Sequence, residues 1–296
     1  MYIYGYENLK RDADLLSRNQ LFETFSIGKS VLGKELICFK LGEGPNKVFY
    51  NGAHHALEWI TSALLVKFLK EISDAYLNGE EYYGYDTGHI FERSSLYVVP
   101  MVNPDGVELV KNGAEGSMRR SQLIQWNHGS DNFSTTWQAN IRGVDLNHNY
   151  SAGWSIAKEM EDGYGIHGPG PTRFGGEEPE SEPETRAMVH FSREQQFNLS
   201  LCYHTQGEEI YYQYMKYTPK KSAELAQMFA KASGYRLARP AGIASHGGYK
   251  DWFLKTFMKP SFTIEAGVGT NPLPIEQLDD IYQKNKQLLA LAAVHS

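Results

Sequence analysis

An α/β fold, with a mostly parallel sheet covered by helices on both faces, is predicted by three observations. Strand-like and helix-like apolar patterns alternate from one end of the chain to the other. Strands separated by helices imply parallel neighbours with helices packed on either side. The 41% hydrophobic and 22% charged content over 296 residues is enough for a full core. There is no internal repeat and no linker of low complexity, so residues 1–296 read as a single domain.

The elements follow in order. Leu36–Leu41 and 47–50 read as adjacent strands joined by a Gly-Glu-Gly-Pro turn. From Trp59 to Ala75 the apolar positions Ile60, Leu64, Leu65, Phe68, Leu69 and Ile72 fall on one helical face. Ser95–Pro100 is a buried strand, ended by the turn signal Asn103-Pro-Asp-Gly106. Residues 112–178 are rich in Gly, Asn, Ser, Trp and Arg with little periodicity, and a long irregular stretch in a compact domain is usually functional. Ser181 to Glu194 is helical, with Ser181 and Glu184 at capping-box spacing. Asn198–Tyr203 is a strand, 220–232 an amphipathic helix, Pro260–Ile264 a late strand, and 275–294 the closing helix.

Composition narrows the function. The formal charge is −6 and no Lys/Arg block occurs, which argues against a nucleic-acid footprint. No apolar run approaches the roughly 18 residues of a membrane span. The N-terminus has no basic stretch followed by an apolar one, so no signal peptide is expected and a cytoplasmic location is. Two cysteines, Cys38 and Cys202, each within a predicted buried strand, read as packing residues rather than a disulfide.

The chemistry begins at Asn51-Gly-Ala-His-His-Ala-Leu-Glu-Trp59, where a strand gives way to a helix. His55 and Glu58 could place an imidazole nitrogen and a carboxylate oxygen on one zinc ion, which takes such ligands at about 2.0–2.2 Å and in catalytic sites usually has three from the protein. Alone the pair is ambiguous. Glu58 could simply complement the positive end of a helix dipole, and His54 could reach a metal as well as His55. In sheets of this kind, ligands bind beyond the carboxyl ends of the strands. Four predicted strand exits carry polar chemistry: Asn51-Gly-Ala-His-His, Met101-Val-Asn-Pro-Asp, His204-Thr-Gln-Gly-Glu and Glu265-Ala-Gly. His204 is the natural third ligand. Glu265, with little bulk after it, could be a helix cap or salt-bridge partner; with a metal nearby it becomes a general base for a metal-activated water.

Taken together, His55-x-x-Glu58-Trp, Asn103-Pro-Asp-Gly106, Gly143-Val-Asp-Leu-Asn147, the strand-end His204 and Phe262-Thr-Ile-Glu265 resemble the zinc carboxypeptidase family over roughly residues 20–295. The resemblance implies a mixed eight-stranded sheet and one catalytic Zn2+ per chain. It implies His55, Glu58 and His204 as the metal ligands and Glu265 as the base that assists amide hydrolysis. Family members carry Asn-Arg after Gly-Val-Asp-x, the Arg gripping the substrate's terminal carboxylate; this chain has Asn147-His148. Leu57 stands where an Arg is common. The oxyanion-stabilising Arg is best matched by Arg142, with Arg119 and Arg120 as alternatives.

The resemblance places Lys250, before Asp251-Trp, at the base of the family's specificity pocket, where it would favour an anionic group; the alternative is a solvated lysine at a helix start. With Asn147-His148-Asn-Tyr150, it makes the chain similar to the branch that hydrolyses γ-D-glutamyl-meso-diaminopimelate bonds in bacterial cell-wall peptides. The expected partner is therefore a peptide or muropeptide substrate. The competing readings are a conventional metallocarboxypeptidase, a deacylase of small amino-acid derivatives, and an inactive zinc-stabilised binding module.

Overall fold

The computed structural model describes residues 2–296. Its strands are β1 (Glu23–Lys29), β2 (Glu35–Leu41), β3 (Asn46–Gly52), the short hairpin β4 (Glu81–Tyr82) and β5 (Tyr85–Asp86), β6 (Ser94–Val99), β7 (Leu199–His204), β8 (Glu209–Tyr211), β9 (Arg236–Leu237) and β10 (Ser261–Glu265). Apart from the hairpin they form one eight-stranded sheet in the order β1-β2-β6-β3-β7-β10-β8-β9. The four central strands β6, β3, β7 and β10 are parallel. Antiparallel pairing enters only toward the flanks, at β1-β2, β2-β6 and β10-β8. The expected mixed, mostly parallel sheet is the sheet observed.

The helices are α1 (Tyr6–Leu16), α2 (Ile60–Leu77), α3 (Thr87–Arg93), α4 (Pro104–Asn112), α5 (Arg120–Trp126), α6 (Trp154–Glu161), α7 (Pro183–Gln195), α8 (Lys220–Ser233), α9 (Tyr249–Phe257) and α10 (Leu278–His295). Successive side chains of a strand point to opposite faces, and both faces here are apolar. Val48 and Tyr50 of β3 join a core with Leu65 and Phe68 of α2, Phe229 of α8 and Leu288 of α10. Phe49 joins a second core on the other face with Phe191 of α7 and Phe253 of α9. Cys38 and Cys202 are free and buried in that second core, as packing residues should be. Among the described residues no helix is long and apolar enough to cross a membrane.

Several local expectations need correction. β2 and β3 are not neighbours, because β6 lies between them. The turn joining them arches over the entry to β6, where Glu43 and Gly44 both donate backbone N–H groups to the Phe91 carbonyl at 3.1 Å. A Cβ on Gly44 would sit 1.9 Å from the Arg93 carbonyl carbon, so only glycine permits this crossing. Asn103-Pro-Asp-Gly106 is not a free turn but the start of α4: Asn103 Oδ1 accepts from the Gly106 N–H at 3.0 Å, and Pro104 takes the first helical position. Ser181 does not cap α7; its hydroxyl donates to Glu182 at 3.1 Å, while Glu184 accepts from the Val31 N–H. The stretch 112–178 holds two short α-helices, α5 and α6, and two single 3-10 turns, Leu146–His148 and Asp162–Tyr164, linked by irregular backbone.

Candidate metal centre

The parallel register brings the polar strand exits together. Gly52 of β3 lies beside Tyr203 of β7, and His204 of β7 lies beside Glu265 of β10. Beyond β3 the chain turns at Ala53 (φ 50°). There Thr61 Oγ accepts from the Ala53 N–H at 2.8 Å and donates to the Glu58 carbonyl at 2.7 Å. Asn103 Nδ2 donates to the carbonyls of His54 and Ala139, both at 3.1 Å. The loop is thus tied to α2, α4 and the 139 segment before its side chains are considered.

That backbone sends the two neighbouring histidines in different directions. His54 is buried, with Nε2 2.9 Å from the Tyr150 hydroxyl. Its pKa is held well below the ordinary histidine value by burial and by the adjacent His204 and His55. His55 Nδ1 lies 2.8 Å from one oxygen of Glu58, and His204 Nδ1 lies 2.9 Å from the other. The two Nδ1 atoms are 3.3 Å apart. His55, Glu58 and His204 are the described residues that could together hold a metal ion; His54 is not in that group.

The donor set fits zinc. Two imidazole nitrogens facing one another across a carboxylate are the borderline N and O donors that zinc prefers, and tetrahedral coordination at about 2.0–2.2 Å separates ligand atoms by a little over 3 Å. The same groups also set one another's charge. Burial works to raise the pKa of Glu58, but His55 and His204 bring it down to about 2. Burial works to lower that of His55, yet the Glu58 and Asp145 carboxylates push it well above normal.

Asp145 was not singled out by the sequence reading, although it stands inside Gly143-Val-Asp-Leu-Asn147. Its Oδ1 is 3.2 Å from His55 Nε2, and its Oδ2 accepts from the Arg173 N–H at 2.9 Å. A carboxylate on the far nitrogen of a ligating histidine fixes its tautomer and raises its basicity. Asp145→Asn is therefore expected to weaken zinc binding about 10–100-fold, measured by competition with a chromogenic chelator; an unchanged affinity would remove Asp145 from the centre.

Glu265 lines a cavity of about 270 Å³ together with His55, Asn147, His148, Arg239 and Lys250. Burial and the nearby Glu58 carboxylate raise its pKa well above the usual range, against the pull of His55. His148 is buried, and burial lowers its pKa, so it faces the cavity as a neutral ring rather than as a cation. Asn147 Oδ1 accepts from the Tyr249 N–H at 3.1 Å, fixing the cavity wall to α9.

Two expected charges behave differently. Lys250 lines the cavity, but its ammonium is paired with Asp251 and donates to the Gln213 carbonyl at 2.8 Å. Arg142 does not line the cavity; its guanidinium is 3.6 Å from Glu182 and substantially solvent-exposed. Arg119 and Arg120 do not line it either, and Arg120 lies 3.8 Å from Asp131. Arg239, which no local pattern marked, does line it.

The sequence profile of the zinc carboxypeptidase family matches residues 13–288. A relative from Lysinibacillus sphaericus, gamma-D-glutamyl-L-diamino acid endopeptidase 1, is 39% identical over 283 residues, covering 95% of this chain and 70% of the relative. Carboxypeptidase B of Bos taurus is 29% identical, over 85% of this chain and 58% of its own. Among solved structures, bovine thrombin-activatable fibrinolysis inhibitor, in complex with tick carboxypeptidase inhibitor, superposes with a TM-score of 0.76 at 20% identity. That superposition covers 99% of this chain and 97% of the other, a likeness of fold.

Proposed function

The chain belongs to the zinc carboxypeptidase family and is a metallopeptidase, and on that premise we propose that it hydrolyses the γ-D-glutamyl-meso-diaminopimelate bond of bacterial cell-wall peptides. His55, Glu58 and His204 hold the metal, and Asp145 orients His55. A zinc ion held there supplies Lewis acidity, which acidifies water and polarises a carbonyl. Glu265, beside His204 in the sheet, takes a proton from the attacking water on its carboxylate oxygen. It then passes that proton to the leaving amine, so no covalent intermediate with the protein is needed. Asn147 and His148 line the substrate cavity, and Lys250 with Asp251 forms part of its charged wall. Arg142, paired with Glu182, is not assigned to the oxyanion.

The observation that carries the substrate assignment is His148. A neutral, buried imidazole stands where a carboxypeptidase needs a guanidinium to grip a free C-terminus, and a forked carboxylate contact is beyond an imidazole. This favours a reaction unlike routine C-terminal trimming, and the 39% identical endopeptidase supports the same bond class. The test compares kcat/KM on a γ-D-glutamyl-meso-diaminopimelate peptide with that on N-blocked C-terminal dipeptides. A preference of at least about 100-fold, roughly 2.7 kcal/mol of transition-state binding, is expected for the former. Preference for the blocked dipeptides would favour a conventional metallocarboxypeptidase instead.

A further inference from the structure

A carboxylate is held most strongly by a cation whose charge is not already matched by a neighbour. Two basic side chains line the cavity that holds His55 and Glu265: Lys250 and Arg239. Lys250 is buried, paired with Asp251 and bonded to the Gln213 carbonyl. Its charge is met from within the protein. Arg239 is exposed, and among the described residues its guanidinium has no carboxylate partner and no hydrogen bond.

Its backbone, by contrast, is held on both sides. The Ala238 N–H donates to the Ile210 carbonyl of β8 at 3.1 Å, and the Ser245 hydroxyl donates to the Pro240 carbonyl at 2.9 Å. Arg239 also stands at a seam. A second cavity of about 300 Å³ shares Arg239, Pro240 and Asp251 with the first and continues along Tyr214, Ser245 and His246. Room for substrate therefore extends past Arg239 on both sides, with Asp251 in the same shared wall.

We infer that Arg239 is the specificity determinant for a second carboxylate on the residue whose amine is released. Its planar fork donates to a carboxylate through two parallel N–H···O bonds, a contact that neither the neutral His148 nor the paired Lys250 provides. Under the proposed function, on which this assignment rests, that carboxylate is the distal one of the diaminopimelyl side chain. Lysine has the same chain with an amine but no distal carboxylate, which makes the two amino acids a matched pair of probes.

The experiment measures binding of meso-diaminopimelate and of L-lysine to the zinc-loaded protein by calorimetry, for wild type, Arg239→Ala and Arg239→Lys. Cleavage of γ-D-glutamyl-meso-diaminopimelate and γ-D-glutamyl-L-lysine is followed in parallel. Wild type is expected to favour the dicarboxylate ligand. Arg239→Ala should reduce the diaminopimelate-over-lysine ratio at least tenfold, in binding and in kcat/KM through KM. Arg239→Lys should recover only part of the ratio, because an ammonium keeps the charge and loses the fork. The inference is overturned if wild type does not discriminate between the ligands, or if Arg239→Ala shifts both equally or neither. Should wild type cleave neither peptide, the proposed reaction fails while the calorimetric ratio still decides the role of Arg239.

Discussion

Glu265→Gln lowers kcat by about 10²–10⁴-fold, the usual contribution of a positioned acid–base group, and leaves one zinc bound per chain. The carboxylate is placed by the sheet itself, at the end of β10 and in parallel register with His204 of β7. Glutamine preserves the size and one oxygen of that side chain but cannot take a proton. The proposed metal ligands come from other segments, so metal content by plasma mass spectrometry should not change. The pH profile should change with it. Burial raises the pKa of Glu265, and its protonated form cannot act as a base, so wild-type kcat/KM falls toward acid pH. The variant's residual rate should lose that acid limb. Turnover close to wild type, or loss of zinc, would remove Glu265 from the role of base.

His204→Ala is expected to abolish zinc binding and activity together. His204 is buried at the end of β7, and its Nδ1 meets Glu58 at 2.9 Å and His55 at 3.3 Å. Without it two ligands remain, short of the three that a catalytic zinc site normally takes from the protein. Stability gives an independent readout. A ligand at about 1,000 times its Kd stabilises the native state by about 4 kcal/mol, so removing zinc from wild type with a chelator should lower Tm and re-addition should restore it. His204→Ala should show no zinc-dependent shift. A variant that keeps stoichiometric zinc would contradict the ligand assignment.

The parts of the centre that were legible lie at strand ends. A short buried run followed by His, Glu or Asn marks both where the chain leaves the sheet and what it presents there. His55, Glu58, His204 and Glu265 could therefore be grouped before their distances were known, and the structure brings them together. Adjacent positions alone left His54 and His55 open; the family resemblance pointed to His55, and the backbone after Ala53 sets His55 beside Glu58 and His204 while His54 meets Tyr150. The neighbour order β2-β6-β3 was hidden because a short turn between two strands suggests pairing. Gly42 and Gly44 instead let the chain pass over β6, with Gly42 at φ 77°.

Charges were harder to read than strands. Lys250 and Arg142 looked available in sequence, yet each is near a carboxylate, Asp251 and Glu182 respectively. Arg239 looked like any surface residue and proves to line the cavity. Pairing between side chains distant in sequence decides which charge is open to a substrate, and no local pattern encodes it. Asp145 lay in a recognised segment, but its contact with His55 crosses ninety positions of chain.

The most direct measurement is mass-spectrometric identification of the bond cleaved when the zinc-loaded protein digests a mixture of muropeptides. Products split between γ-D-glutamate and meso-diaminopimelate, absent after chelation and absent with Glu265→Gln, are the predicted result. Stepwise release of C-terminal amino acids, with the γ-D-glutamyl bond intact, would contradict the account.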